Sequence, residues 1–511
     1  MRSPSTTRRA AYRRVGLWAL VPALLLLLTV STGCVSTGLN PVSGNTRAYG
    51  YSWAEEVKLG KKADKQIQNQ YGVYEDEELQ QYVDEVAQEV LAESHIRRPE
   101  TPQKFRETEF HFRVLDSPVI NAFALPGGYV YVTRGLLAHL NNEAQLAVVL
   151  GHEIGHVEAR HASQQAGRQK LTQGLLIGGA VLGQATLGGN VGRQVLNIGG
   201  TAAQLLSLSY SRDNERESDR LGVEYAVRAG YEAAEGAAFF ESLERVQEQS
   251  DQSIPTWQST HPDPGARKQT IPKLAQKWKT KVEQPATAIN QEAYYASLTN
   301  VVLGKNPRQG FTEEGVFYHP ELAFRFSVPR RWTVQNQRRQ VAIVHPDQAA
   351  YMVFRFSESD TPEAAAREFA GQDGVTVRER RRAPVNGNDA QRVVAQAQTQ
   401  QGETVRLLTY FIAYGDHVYE FQGLTTADRY DKYRRDFEES MTSFARLADS
   451  EKLNVQPTRL AIRSAGRRAP FRTFVDERAL PGEMTRADLA IINQLALSET
   501  VTPGRPLKLP D

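Results

Sequence analysis

Apolar residues recur at three- and four-residue spacing from Val42 to about Leu91. Trp53, Val57 and Gly60, then Leu79, Tyr82, Val83, Val86 and Val90, carry the pattern with charges between them, which predicts helix. Phe110 to Leu115 alternates and predicts a strand; Asn121 to Thr133 reads as strand, a Pro126-Gly127-Gly128 turn, and strand. Asn141 or Asn142 is placed to cap a helix running through Leu150 to about His161. A Gly- and Ala-rich stretch follows from Gly174 to Gly200, with Leu175, Leu176, Ile177, Val181 and Leu182 clustered in it. A second, charged helix is predicted from Asp213 to Ala229, ending at Gly230; helical spacing continues to about Gln249, and Thr260 to Arg267 reads as a loop.

After about Gly310 the pattern changes. Strands are predicted over Phe317 to Val328, Val341 to His345, Tyr351 to Phe356, Val375 to Arg380 and Val405 to Phe421, with helices over Thr361 to Gly371 and Thr426 to Leu447. Strands followed by one long helix predict an α+β sandwich. The chain is therefore expected to be α+β: a mainly helical domain with a small edge sheet over residues 42–280, a linker at 281–309, a separate α+β domain at 310–448 and a short tail at 449–511. No period of about 20–50 residues is present, which excludes a solenoid.

The 511 residues hold 61 Lys+Arg, 59 Asp+Glu and one cysteine, with 23% charged and 40% hydrophobic. These values exclude a disordered or multi-span membrane chain, and one cysteine excludes an intramolecular disulfide. No acidic residue precedes Glu55, while Arg2, Arg8, Arg9, Arg13 and Arg14 precede an apolar run from Val15 to Val30. That run is shorter than the ~20 residues a membrane span wants, and a basic head, apolar middle and small-residue exit make a secretory signal. Ser31-Thr32-Gly33-Cys34 resembles a bacterial lipoprotein signal. Residues 1–33 would then be removed, and lipidated Cys34 would tether the chain to the membrane. Ser31 departs from the usual Leu, and ordinary signal cleavage with an incidental cysteine is the alternative. Removing 33 residues takes five arginines and no acid, leaving 56 basic against 59 acidic groups, a net −3. The basic excess belongs to the signal and implies no acidic partner. Arg378, Arg380, Arg381 and Arg382 surround Glu379 without interleaved aromatics and read as a solvated stretch, so no nucleic acid is expected.

Chemistry concentrates at His152-Glu153-Ile154-Gly155-His156. On a helix, histidines at i and i+4 share a face and can bind one Zn²⁺, while the adjacent glutamate can take a proton from water at the metal. Zinc needs a third protein ligand. Ser211 to Asp219 offers Glu215 and Asp219 at i and i+4, so Glu215 can ligate while Asp219 orients a ligating histidine. Alone this stretch would be a solvated charged face; the histidine pair changes that reading. Glu217 points elsewhere and is the weaker ligand. His161, five residues past His156, is rotated off the metal face and suits hydrogen bonding beside the site or helix-end charge. His95, His111, His139, His319, His345 and His417 have no metal-like neighbours and read as structural.

Together, the segments Asn121–Leu137, Leu150–His161, Tyr210–Asp219 and Thr260-His261-Pro262 resemble the zinc endopeptidase family of CAAX-prenyl proteases and HtpX-like proteases. They are most similar to its soluble periplasmic branch, the barrel-assembly-enhancing proteases. The resemblance implies a zincin-like domain in which His152, His156 and Glu215 hold one Zn²⁺ per chain and Glu153 is the general base. It also implies His261 as a fourth, inhibitory ligand on a loop that must swing away. Where the family often has Glu-Ala-Asp, this chain has Glu217-Ser218-Asp219, which leaves the ligand positions intact. The implied activity is a metalloendopeptidase on the periplasmic face of the bacterial outer membrane, degrading misfolded or misassembled envelope proteins beside the outer-membrane assembly machinery. A chaperone-like assembly factor with a latent zinc site is the alternative, and a zinc hydrolase of cell wall or lipid a third.

Tyr129, Val130, Tyr131 and Val132 are expected to form the edge to which an extended peptide adds, or an ordinary buried hairpin. The Gly174–Gly200 stretch is read as a lid or amphipathic flap, or as plain core helix. Residues 310–448 resemble small PsbP-type domains and the tail a degenerate LysM module; both suggest docking to substrate or envelope.

Overall fold

The computed structural model describes residues 36–178, 210–249, 261, 264–399 and 402–511. The signal, Cys34 and residues 179–200 of the expected flap lie outside this set. The chain is α+β. Its first strands, β1 (Ser36–Leu39) and β2 (Thr46–Tyr49), form an antiparallel hairpin. The continuous helical stretch expected from Val42 is instead this hairpin followed by two helices, α1 (Trp53–Tyr71) and α2 (Glu77–Ala92). Ser52 and Asp76 cap the two helices and break them apart, because each side-chain oxygen accepts an otherwise orphaned backbone N–H.

A three-stranded sheet follows: β3 (His111–Leu115), β4 (Ala122–Leu125) and β5 (Tyr129–Thr133). Its order is β3-β5-β4, with β3 parallel and β4 antiparallel to β5. This corrects the expected edge. Tyr129, Val130, Tyr131 and Val132 lie on the central strand, buried and paired on both sides, so their backbone has nothing left to offer a peptide. The open edge nearer the chemistry is β4.

After a short helix, α3 (Arg134–His139), the helix α4 (Glu143–Glu158) carries the histidine pair. Asn142 caps it by accepting from the Gln145 N–H, and all sixteen of its residues are buried. Next come α5 (His161–Gly178), α6 (Arg212–Arg228), α7 (Gly236–Gln249), α8 (Pro264–Lys279) and α9 (Gln291–Leu298). Helix α8 begins at Pro264, so Arg267 is helical and not in a loop. Among the described residues, no helix is long and apolar enough to cross a membrane.

Helices α4 and α6 touch backbone to backbone. A Cβ at Gly222 would lie 2.6 Å from the His152 nitrogen, and one at Gly151 would lie 2.9 Å from the Gly222 Cα. Only glycine permits this crossing, which brings the start of α6 level with the histidines.

Residues 281–309 and the tail differ from their expected roles as linker and appendage. Tyr294, Tyr295 and Leu298 of α9, and Leu460, Phe471, Leu489, Ile492, Leu495, Val501 and Leu507 of the tail, belong to the same apolar core as α4. In the tail, the strand Leu460–Ser464 pairs with the C-terminal strand Pro506–Pro510. From the C-terminal strand the buried Lys508 donates to the Leu140 carbonyl at 2.8 Å and to Ala138, capping the end of α3. Arg134 donates to the carbonyls of Val302 at 2.8 Å and Gly304 at 2.7 Å. Such bonds satisfy groups that burial would otherwise leave costly.

Residues 311–446 form a separate core. A seven-stranded antiparallel sheet is built from β6 (Thr333–Gln337), β7 (Gln340–Val344), β8 (Ala350–Phe356), β9 (Val375–Arg382), β10 (Ala390–Gln398), β11 (Thr404–Tyr414) and β12 (His417–Thr426), in the order β9-β10-β11-β12-β8-β7-β6. It has a helix (Pro362–Ala370) on one face and, on the other, a second helix (Tyr430–Thr442) with a four-stranded sheet. The single strand expected over Val405 to Phe421 is thus the β11–β12 hairpin, turned at Gly415 with φ +59°. The arginines of β9 lie on an exposed sheet edge, where charge discourages edge-to-edge pairing.

Replacing Gly222 by Ala should force α4 and α6 apart. Overpacking of this kind costs about 1–3 kcal/mol; urea unfolding should show that loss, and zinc binding should weaken with it.

Candidate metal centre

Each half of the centre is set by local sequence. The spacing of His152 and His156 on α4 aims both rings at α6, and a Ser211–Asn214 capping box starts α6 so that Glu215 lies in its first turn. His152, His156, Glu215 and His261 are all buried and offer one ligand atom each within 4.8 Å of one another. His152 Nε2 lies 2.9 Å from His156 Nε2 and 3.6 Å from Glu215 Oε2, while His156 Nε2 is 3.4 Å from Glu215 Oε1. His261 Nδ1 is 3.1 Å from both Glu215 oxygens and 3.3 Å from His152 Nε2. The structure thus brings together the three candidate ligands read from spacing and the fourth candidate suggested by resemblance.

The electrostatics suit a metal. Burial pushes His152 and His156 well below the usual imidazole range, so both are neutral. Burial opposes the Glu215 charge, but the neighbouring His261 and His156 outweigh it and hold the carboxyl well below its ordinary value. For His261, burial works against the proton, and the Glu215 and Glu153 carboxylates reverse the balance and raise it. Neutral imidazoles and an ionised carboxylate are the forms that ligate Zn²⁺. The donor set fits zinc on this ground, and a buried cluster of such groups has little other reason to converge.

Glu153 is wholly buried beside the cluster, facing the Ala124 backbone of β4. Its nearest charged neighbour is His261 Nε2 at 3.7 Å. Burial raises its pKa to about 7, against the opposing pull of His261. An acid near neutrality can both take and return a proton.

Asp219 Oδ1 lies 2.9 Å from His152 Nδ1, the position expected for an orienting carboxylate. Sequence reasoning missed Arg267. This buried guanidinium pairs with Asp219, approaches Glu215 at 3.4 Å and His152 Nδ1 at 2.9 Å, and stacks 4.3 Å from the Phe240 ring centre. No local pattern in the sequence marks it, because Thr260 to Arg267 reads as a loop. Tyr210 was missed as well: its ring lies 4.1 Å from the His156 ring, and with Ala124, Leu125 and Pro126 of the β4 edge it lines a narrow cleft. His161 and Glu217 converge behind His156. Away from the site, His95 meets the Tyr225 hydroxyl and His139 the Gly135 carbonyl, both at 2.7 Å, as structural histidines do.

Residues 75–275 match Peptidase family M48. The chain is 29% identical over 263 residues to the "Beta-barrel assembly-enhancing protease" of Yersinia pestis, covering 48% of this chain and 51% of that protein. It is 33% identical over 175 residues to the bovine "Metalloendopeptidase OMA1, mitochondrial", covering 33% of each. The chain therefore spans about half the length of the first relative and a third of the second. Among solved structures, the Synechocystis cyanobacterial PsbP, CyanoP, aligns over 26% of this chain and 91% of its own. Its 11% identity and TM-score of 0.22 leave the likeness without weight.

In Asp219→Ala, the buried Arg267 loses its nearest carboxylate and His152 its orienting oxygen. Breaking such a pair should lower the stability of the metal-free protein by about 3 kcal/mol; an unchanged urea midpoint would show that the pair contributes nothing.

Proposed function

We propose that this chain, which carries a peptidase family M48 domain over residues 75–275, is a zinc-dependent metalloendopeptidase of the bacterial cell envelope. It degrades misfolded or misassembled envelope proteins from the periplasmic face of the outer membrane, tethered through lipidated Cys34. The observation that carries the catalytic reading is the buried convergence of His152, His156 and Glu215 with the buried Glu153 carboxylate beside them. The envelope reading draws support from the export-type N-terminus and from the printed name of the bacterial relatives.

His152, His156 and Glu215 would hold one Zn²⁺. When bound, it acts as a Lewis acid that polarises the scissile carbonyl and makes water acidic enough to attack. Glu153 takes the proton of the attacking water and returns it to the leaving amine. An extended substrate pairs with the open edge of β4, next to the cleft under Tyr210. Asp219 holds His152 with its Nε2 toward the cluster.

His261 closes the site. It is fully buried, between Glu215 at 3.1 Å and Glu153 at 3.7 Å, where attacking water and substrate carbonyl must meet. Displacement of His261 is therefore part of turnover. The same closure favours a second reading, a chaperone-like assembly factor whose zinc site is latent.

Metal analysis should give about one zinc per chain, lost in His152→Ala. Casein cleavage should rise in His261→Ala and vanish in Glu153→Gln with zinc retained; a Glu153→Gln protein as active as its parent would falsify the mechanism. If neither parent nor His261→Ala cleaves any protein while envelope assembly is still aided, the latent-site reading holds. Cys34→Ser should release the protein from membranes, and unchanged fractionation would exclude the anchor.

A further inference from the structure

We propose that His161 and Glu217, completed by Arg47 of the β1–β2 hairpin, form a positioning relay that fixes His156 as a metal ligand. The inference rests on the zinc reading above. His156 turns its Nε2 toward Glu215 and His152, and its Nδ1 lies 3.0 Å from His161 Nδ1. Two ring nitrogens at this distance share one proton: one donates and the other accepts. If the His156 Nε2 lone pair is reserved for a metal, its proton sits on Nδ1 and His161 Nδ1 must accept it. His161 then carries its own proton on Nε2, which lies 3.2 Å from Glu217 Oε2. Glu217 in turn accepts from Arg47 Nη1 at 3.3 Å and Nη2 at 3.5 Å.

Each proton in this chain has one consistent place, and the order is set from the arginine end. Ser218 Oγ, 3.3 Å from the same His161 nitrogen, is the other group at that acceptor. The Tyr210 ring stacked on His156 holds the plane of the imidazole. The two histidine ligands are thus oriented differently: His152 by a carboxylate directly, His156 by a carboxylate acting through a neutral histidine. The hairpin becomes part of the centre through Arg47. The competing account is that Arg47 and Glu217 form an ordinary, partly exposed ion pair that contributes a little stability and nothing to metal binding.

The test measures zinc affinity of the full chain by chelator competition, alongside the thermal midpoint of the metal-free protein. Loss of an outer-shell partner typically costs about 10- to 100-fold in metal affinity. Glu217→Ala should raise the zinc Kd by about tenfold or more, and Arg47→Ala by less. Glu217→Gln should recover part of the loss, because its amide oxygen still accepts from His161. The metal-free midpoints should stay with the parent. A zinc Kd in Glu217→Ala within about twofold of the parent, or a loss that only follows a lowered metal-free midpoint, would overturn the relay. In either case parental zinc content and its Glu153-dependent casein cleavage would leave the peptidase reading intact. A parent that binds no zinc would overturn both.

Discussion

At the crossing of α4 and α6, Gly151 and Gly222 leave no room for a Cβ on either side, and the approach of Glu215 to the two histidines of the candidate metal centre depends on that contact. Two ordinary helices separated by side chains would sit several ångströms further apart, and Glu215 could not come within 3.4–3.6 Å of the histidine nitrogens. The same closeness creates the electrostatic problem that the site solves. Three imidazoles, three carboxylates and a guanidinium are buried together, and each would be costly alone. Asp219 and Arg267 pair with each other while facing His152. Glu215 is stabilised by the imidazoles it faces. Burial outweighs the pull of His261, 3.7 Å away, and leaves Glu153 a weaker acid.

A second constraint holds the far end of the histidine helix. Arg160 terminates it with φ 60°, a left-handed conformation unusual for a non-glycine residue. Its side chain secures that turn, donating to Glu56 at 2.9 Å and to the Tyr51 carbonyl at 2.9 Å, and lying 3.5 Å above the Tyr49 ring. Asn40 donates to the Ala159 carbonyl at 3.1 Å from the same hairpin. The end of the histidine helix is therefore fastened to residues 36–56, as its middle is fastened to α6. At the other pole, Arg134 and Lys508 recruit residues 302–304 and the C-terminal strand into the core around α3.

The chemistry was more legible than the fold. The histidine pair, Glu153, Glu215 and Asp219 share helical faces fixed by spacing alone, and a cap residue before each helix marks its start. The Pro126-Gly127-Gly128 turn made the hairpin visible, but hairpin formation does not reveal which strand a third partner joins. Parallel pairing with β3 placed Tyr129 to Val132 in the middle of the sheet. The strand Thr333–Gln337 escaped notice because Gln335, Asn336 and Gln337 leave Val334 as its one apolar residue, and Ala390–Gln398 because Gln391, Arg392 and Gln396 interrupt its apolar run, Arg392 being buried against Glu438. Arg267 and Tyr210 carry no local signal of buried, site-facing placement; a charged residue on a helix is solvent-exposed far more often than not.

By itself, then, the sequence determined which groups could hold a metal, which could move a proton, and where the chain's class changes near Gly310, since these depend on residue type and on spacing within single elements. Tertiary structure alone decided that β4 is the free edge and that the expected linker and tail are core. It likewise decided that Arg267 enters the centre and that Glu217 faces His161 instead of solvent. Each of those outcomes joins segments tens to hundreds of residues apart. They depend on which surfaces pack against one another, a property of the whole fold that no local pattern records.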